Sequence, residues 1–234
     1  MIARFSKRRE PKPESARAET ARAETRWTRR KDARPAELLA AALDLFVERG
    51  YAGTRLDDVA RRAGVSKGTL YLYYSSKEQL FKAVIREGLV PVYEHGERMV
   101  DAHTGSAEDL IRNLLRVWWD TIGATNLGGI PKLMIAESGN FPEVTRFYFD
   151  EVVSRGRKLV ARALRLGIDA GEFRDLPIDQ VVRLMLAPVM LMAIWRYSFE
   201  FCDTTHLDPD SYLSLHVDVL LNGLRQKIAL GTMP

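Results

Sequence analysis

At 234 residues, with 46% hydrophobic and 28% charged residues, the chain has the size and composition of an ordinary folded protein of one large or two modest domains. Its one cysteine, Cys202, excludes an intrachain disulfide and fits a reducing cytoplasm, and no N-terminal apolar stretch reads as a secretory signal. The net charge of +4 is uneven: residues 1–34 hold 12 Lys/Arg against 5 Asp/Glu, residues 35–91 hold 8 against 7, and residues 92–234 hold 15 against 19, so the excess positive charge sits at one end, as an approach to phosphate requires.

Residues 1–33 are basic, poor in apolar side chains and interrupted by Pro11 and Pro13, which predicts a disordered arm. ARAET occurs in tandem at 16–20 and 21–25, too short a period for a solenoid. A first helix is predicted from Pro35 to Arg49, with Leu38, Leu39, Ala42, Leu45 and Phe46 as its apolar stripe and Gly50 as its stop. Tyr51 follows and is expected to pack beneath the next unit.

That unit is Thr54 to Lys77, two short helices joined by a tight turn. Leu56, Val59 and Ala60 give the first helix an apolar face, and Thr54 with Asp57 forms a T-x-x-D start signal. Gly64 ends it, Val65 plugs the corner, and Ser66 is placed to cap the second helix. Leu70 and Tyr74 pack back. Left outward are Lys67, Gly68, Thr69, Tyr71, Leu72 and Tyr73: a cation, hydroxyls and apolar surface suited to a DNA groove. Lys67 and Lys77 stand at helix starts, where an anion is favoured. A glycine at position 68 lets backbone approach the groove closely.

Ser76 to Gln79 is a second capping signal, S-x-x-Q, opening a helix with Leu80, Phe81, Val84, Ile85 and Leu89 inward and interrupted at Gly88 and Pro91. Helical patterns continue at 106–122, 130–138, 142–170, 178–200 and 209–229, about nine helices in all, with no strand-like alternation. Asp208-Pro209 marks the start of the last one. The longest apolar run, Leu184 to Trp195, is 12 residues between two arginines. A bilayer span needs about 20, so a buried helix with Pro188 at its middle is predicted, and no membrane association.

Enzyme chemistry finds no support. His95, His103, His206 and His216 are scattered without metal-ligand spacing, and there is no G-x-S-x-G elbow or phosphate-binding glycine loop. No catalytic residue, metal or cofactor is expected.

The stretch ALDLFVERGYAGTRLDDVARRAGVSKGTLYLYYSSKEQLF resembles the TetR family of bacterial transcription regulators in the order of its helix, G-Y, capped short helix, AGVSKGTLYxYY and SKEQLF. The segment LMIAESGNFPEVTRFYFDEVVSRG is similar to the C-terminal domain of the AefR-like branch. The resemblance implies an all-α, two-fold symmetric dimer. Its parts would be the basic arm (1–33), a three-helix DNA-binding domain with a helix-turn-helix (34–91), and a helical ligand-binding and dimerisation domain (92–234). Its members are mostly repressors that leave a pseudo-palindromic operator when a small molecule binds.

Carried over by position, Ser66, Lys67, Thr69, Tyr71 and Tyr73 match DNA-contacting places, and Thr54, Arg55 and Lys77 match places near the phosphates. Leu72 departs from the family's more usual aromatic or polar residue, although an apolar side chain suits a thymine methyl. One two-helix unit reads too few base pairs, so a homodimer through 178–200 and 209–229 is expected, with double-stranded operator DNA as its partner. Trp118, Trp119, Met134, Phe141, Phe147, Phe149, Met185, Met190, Met192 and Trp195 are candidates to line a site for a small hydrophobic or amphipathic effector. Two competing readings are a ligand-independent regulator and a nonspecific architectural DNA binder that uses the basic arm.

Overall fold

The computed structural model describes residues 35–205 and 207–225. The expectations for the basic arm, the tandem repeat and His206 lie outside the described residues, as does the predicted helix beyond 225. Eleven α-helical segments follow one another: α1 (35–53), α2 (Leu56–Arg62), α3 (Lys67–Tyr73), α4 (Lys77–Gly88), α5 (Val90–Asp101), α6 (Ala107–Trp118), α7 (Gly129–Glu137), α8 (Pro142–Tyr148), α9 (Ser154–Asp169), α10 (Ile178–Arg196) and α11 (Pro209–Leu224). The single β pairing among the described residues is an isolated bridge between Phe173 and Arg225. The fold is all-α.

Local chemistry sets most boundaries. Ser66 Oγ accepts from the Thr69 amide and Ser76 Oγ from the Gln79 amide, so both serines cap as the pattern predicts. Asp208 does the same for α11, with Pro209 in its first turn. Gly64 takes φ 66, a left-handed turn that L side chains resist, and so lets α2 reverse into α3. α4 ends at Gly88, and after the single residue Leu89 α5 begins at Val90 with Pro91 in its first turn.

Four expectations need correction. α1 does not stop at Arg49: helical structure continues to 53 through Gly50, whose φ is 77. Thr54 does not cap α2; that position falls to Arg55, which makes no side-chain cap bond. The Thr54 hydroxyl instead lies buried, 1% exposed, 2.8 Å from the Gly50 carbonyl and 3.0 Å from the Leu45 carbonyl. A hydroxyl can serve a neighbouring turn as readily as its own helix, and here the loosened end of α1 supplies the acceptors. The 142–170 helix is also not uniform, since a π-helical stretch, Phe149–Val153, separates α8 from α9. A similar stretch, Trp119–Gly123, follows α6. That division, with the α4–α5 break at Leu89, raises the number of segments above nine.

Two apolar cores hold the molecule. The first joins Leu38, Leu45 and Phe46 of α1, Val59 and Leu70 of the two-helix unit, and Leu80, Phe81, Val84 and Ile85 of α4. Phe46 and Tyr51 each meet the Phe81 ring edge-on, with centroids 4.9 and 5.4 Å apart. The core does not end there. It continues into Ile130, Leu133 and Met134 of α7 and Val144 and Tyr148 of α8. The second core packs α6, α9, α10 and α11 through residues such as Leu110, Ala163, Leu164, Met185, Ala193 and Leu221. Burial of each large side chain contributes roughly 1.5–3 kcal/mol.

Candidate nucleic-acid interface and effector cavity

α3 is held by one buried anchor, Leu70, and by its serine cap, and almost everything else on it faces out. Lys67, Gly68, Tyr71, Leu72 and Tyr73 are exposed, and Leu72 most of all at 85%. Tyr71, Leu72 and Tyr73, three consecutive large side chains, are exposed at 44%, 85% and 36%, an apolar patch of the kind that marks an interaction surface. Gly68 faces open space apart from Ser66 Oγ, which a Cβ would approach only to 3.8 Å. Packing within the chain therefore does not demand glycine there. Thr69 is half-buried and shares a 2.8 Å hydrogen bond with the Ser66 hydroxyl.

The cations around α3 differ in their freedom. Lys67 Nζ donates to an Asp57 carboxylate oxygen at 2.9 Å, a contact that raises the lysine pKa. Arg61 and Arg49 converge on Asp58 at 2.8 and 3.0 Å, and Arg62 donates to both Glu48 oxygens. Arg49–Asp58 and Arg62–Glu48 tie α2 to α1 and Lys67–Asp57 ties it to α3, while Arg61–Asp58 lies within α2. Arg55 is exposed and makes no ion pair among the described residues. Lys77 is half-buried and works inside the fold: its Nζ donates to the Tyr51 carbonyl at 2.7 Å and the Ala52 carbonyl at 3.2 Å, 4.6 Å from the Tyr51 ring centroid. Desolvation lowers its pKa. Two of its three donors are thus taken by the end of α1, and Thr54 is likewise a structural staple.

The α1 end also meets α7. The Ala52 amide donates to Glu137 Oε1 at 3.1 Å, Asn126 Nδ2 to Asp44 Oδ1 at 2.8 Å, and the Tyr51 ring lies 4.5 Å from that of Phe141. The opposite side of α7 reaches a cavity of about 450 Å³, which Pro131 and Ile135 line together with residues of α5, α6, α8, α9 and α10. Its wall is mostly apolar: Val92, Gly96, Leu114, Leu115, Val152, Val160, Leu186 and Met190 are representative. Volume and lining match those of small-molecule sites, which run roughly 300–1,000 Å³. Trp118 Nε1 donates to the Tyr93 hydroxyl at 3.3 Å on this wall. Burial pushes the Tyr93 phenol up to about 12 and raises that of Tyr148 as well.

Of the residues proposed from sequence to line the cavity, Trp118 and Met190 do so. Trp119, Met134, Met185 and Met192 are buried in the two cores. Phe147 receives the side chains of Lys82 and Arg86 on its ring, Phe149 that of Arg157, Trp195 donates to Asp203 at 2.6 Å, and Phe141 packs on Tyr51. Large apolar side chains fill cores more often than they line holes, so composition points to the wrong ones. The wall residues that sequence reading missed are mostly small or aliphatic, and the rest are Tyr93, Tyr148, Arg157 and Arg183. The i, i+3, i+4 recurrence of 153, 156, 157, 160 on one helix and 183, 186, 187, 190 on another marks a shared face only once the helices are paired.

The model for bacterial regulatory proteins of the tetR family matches residues 38–84. The chain is 30% identical over 166 residues to the uncharacterised HTH-type transcriptional regulator YfiR of Bacillus subtilis, covering 67% of this chain and 76% of that protein. It is 28% identical over 165 residues to the HTH-type transcriptional repressor KstR2 of Mycolicibacterium smegmatis, covering 70% and 79%. Among solved structures, the regulator FadR from Bacillus subtilis in complex with stearoyl-CoA superposes with a TM-score of 0.68 at 19% identity, covering 81% of this chain and 99% of that one.

Proposed function

The chain belongs to the TetR family of transcriptional regulators, and from that premise we propose that it is a homodimeric repressor that leaves a pseudo-palindromic operator when a small hydrophobic or amphipathic molecule enters the α5–α10 cavity. The observation that carries the DNA half of this reading is the exposed face of α3, with Tyr71, Leu72 and Tyr73 in water above a single buried anchor. Arg55 adds a cation with no ion pair among the described residues, and Gly68 keeps backbone accessible. Ser66, Lys67, Thr69 and Lys77 supply further hydroxyl and ammonium donors along the same edge. Lys67 would exchange Asp57 for phosphate, and Lys77 has one donor left for it. Phosphate contacts set affinity and salt dependence, whereas base-edge contacts set sequence.

The dimer half rests on α10 and α11. Leu184 and Leu191 on α10 and Leu215 and Val219 on α11 stand exposed in the single chain, Leu184 at 64% and Leu215 at 63%. α10 is long and apolar enough to cross a membrane by length and composition, with a mean hydropathy of 1.6 over its window. It packs against α7, α9 and α11, so the uncovered side is the one left for a second copy. The division of labour is a DNA-binding part at 34–91 and an effector and dimer part at 92–234, with α7 touching both. An AefR-like assignment of the second part fits its helical pattern. The stearoyl-CoA complex of the FadR neighbour and the repressor name of KstR2 support an apolar effector and repression.

Sedimentation at micromolar concentration, combined with titration of selected DNA at several salt concentrations, tests the reading. It predicts a dimer whose binding constant falls steeply with salt and whose DNA is released by an apolar ligand. A monomer, or binding that competitor DNA of any sequence removes equally, contradicts it.

A further inference from the structure

We infer that the cavity takes an anionic amphiphile: an apolar chain that ends in a carboxylate or phosphate, with the acidic end held by Arg157 and Arg183. The inference rests on the ligand-released reading above and narrows its ligand class. The cavity wall carries two full charges, both positive, and no carboxylate side chain lines it among the described residues. That is unexpected for its surroundings, because residues 92–234 hold 19 Asp/Glu against 15 Lys/Arg. An acidic domain encloses a basic-rimmed apolar hole.

The two arginines are also without the partners that their neighbours have. On α9, Arg155 donates to Glu97 at 2.9 Å and Arg162 pairs with Asp101. Arg157, between them in sequence, is half-buried and rests on the Phe149 ring at 5.7 Å with no ion pair among the described residues. Arg183 is exposed and has none either. Each lies on its helix in register with cavity-lining residues, Arg157 with Val153 and Val160, and Arg183 with Leu186 and Met190. Arg183 and its neighbour Ala187 are exposed while Val189 is buried, so the α10 side of the cavity opens to water near Arg183. An amphiphile placed with its tail on the aliphatic wall would leave its headgroup at that opening. A guanidinium offers a planar fork of donors that suits carboxylate and phosphate.

Calorimetric titration of the full-length protein with decanoate, decyl phosphate, decanol and decylamine, all below their micelle concentrations, tests this. The acids should bind about ten- to hundredfold more tightly than decanol, the range of charge-assisted hydrogen bonds, and decylamine more weakly still. Lengthening the acid by one methylene should tighten binding about fourfold until the cavity is filled. The double variant Arg157→Gln with Arg183→Gln should bring the acids down to the affinity of decanol and leave decanol itself unchanged, whereas a merely structural defect would weaken both. Decanol binding as tightly as decanoate, or an acid preference that survives the double variant, overturns the inference. The two decyl acids divide its headgroup: preference for decanoate assigns a carboxylate and for decyl phosphate a phosphate. Operator release is measured in parallel. Tight acid binding without DNA release would keep this inference and remove the ligand-released repressor, while release by decanol alone would do the reverse.

Discussion

The exposed helix α3, proposed to read DNA, and the cavity, proposed to take the effector, are built in opposite ways. α3 is seven residues long, and its position follows from a glycine at φ 66, a serine cap and one buried leucine, all within a few residues of it. The cavity draws its wall from six helices that span residues 92–190, and no local signal announces it. A surface made locally can present unusual residues, such as a leucine left in water, because little else depends on them. A cavity made by distant packing stays open only if many helices hold their places. The first should therefore tolerate side-chain changes without loss of fold, and the second should not.

The strongest way to break this contrast is at the shared core. Phe46→Ala removes a fully buried ring that meets Phe81 and lies in the same core as Met134 and Tyr148. A loss of about 3–5 kcal/mol is expected from such a deletion, read by chemical denaturation. Because the core runs into α7 and α8, ligand affinity should fall along with DNA binding. A variant that lost only DNA binding would show that the two regions are more separate than the packing indicates.

The next effect lies on the cavity side. Burial places the Tyr93 phenol at about 12, against an ordinary value of 10.0. Below pH 10 both folded and unfolded chains keep that proton; above it the unfolded chain gives it up first. Stability should hold below pH 10 and then fall by about 1.4 kcal/mol per pH unit up to about pH 12. Tyr148, also raised by burial, acts in the same direction. Tyr93→Phe should flatten this part of the profile, measured by thermal unfolding as a function of pH.

On the recognition side the expected cost moves from stability to binding. Leu72→Ala should change unfolding free energy by no more than about 0.5 kcal/mol, as for other exposed positions. It should weaken DNA binding by about 1–3 kcal/mol with relaxed preference at one base pair, if the leucine meets a thymine methyl. Ser66→Ala is the smallest and most local change. Losing the cap on α3 should cost about 1 kcal/mol of stability, detected as faster amide exchange in α3 while α9 and α10 keep theirs.

The same contrast explains what could be read from sequence. Ser66, Ser76, Gly64 and Asp208 act where their neighbours say they should, because a cap or a turn is settled within four residues. Thr54 shows the limit even there. Its T-x-x-D pattern is a valid start signal, but the end of α1 offers two carbonyls that win the hydroxyl. Lys77 reads as a phosphate ligand by position, yet two of its donors close the end of α1. In the cavity, size and polarizability favour Trp119, Met185 and Met192 as liners, and packing instead buries them. Glu137 gave no signal at all. Its role at the Ala52 amide depends on a contact 85 residues away in sequence.

The most direct test of the central claim, that the exposed face of α3 reads DNA in a dimer, is selection of bound sequences from a random double-stranded pool. Wild-type protein and a variant with Tyr71, Leu72 and Tyr73 all changed to Ala should be compared. The wild type should enrich a pseudo-palindrome with two half-sites, and the variant, folded to the same extent, should enrich none. Enrichment of the same palindrome by both proteins, or of no sequence by the wild type, would contradict it.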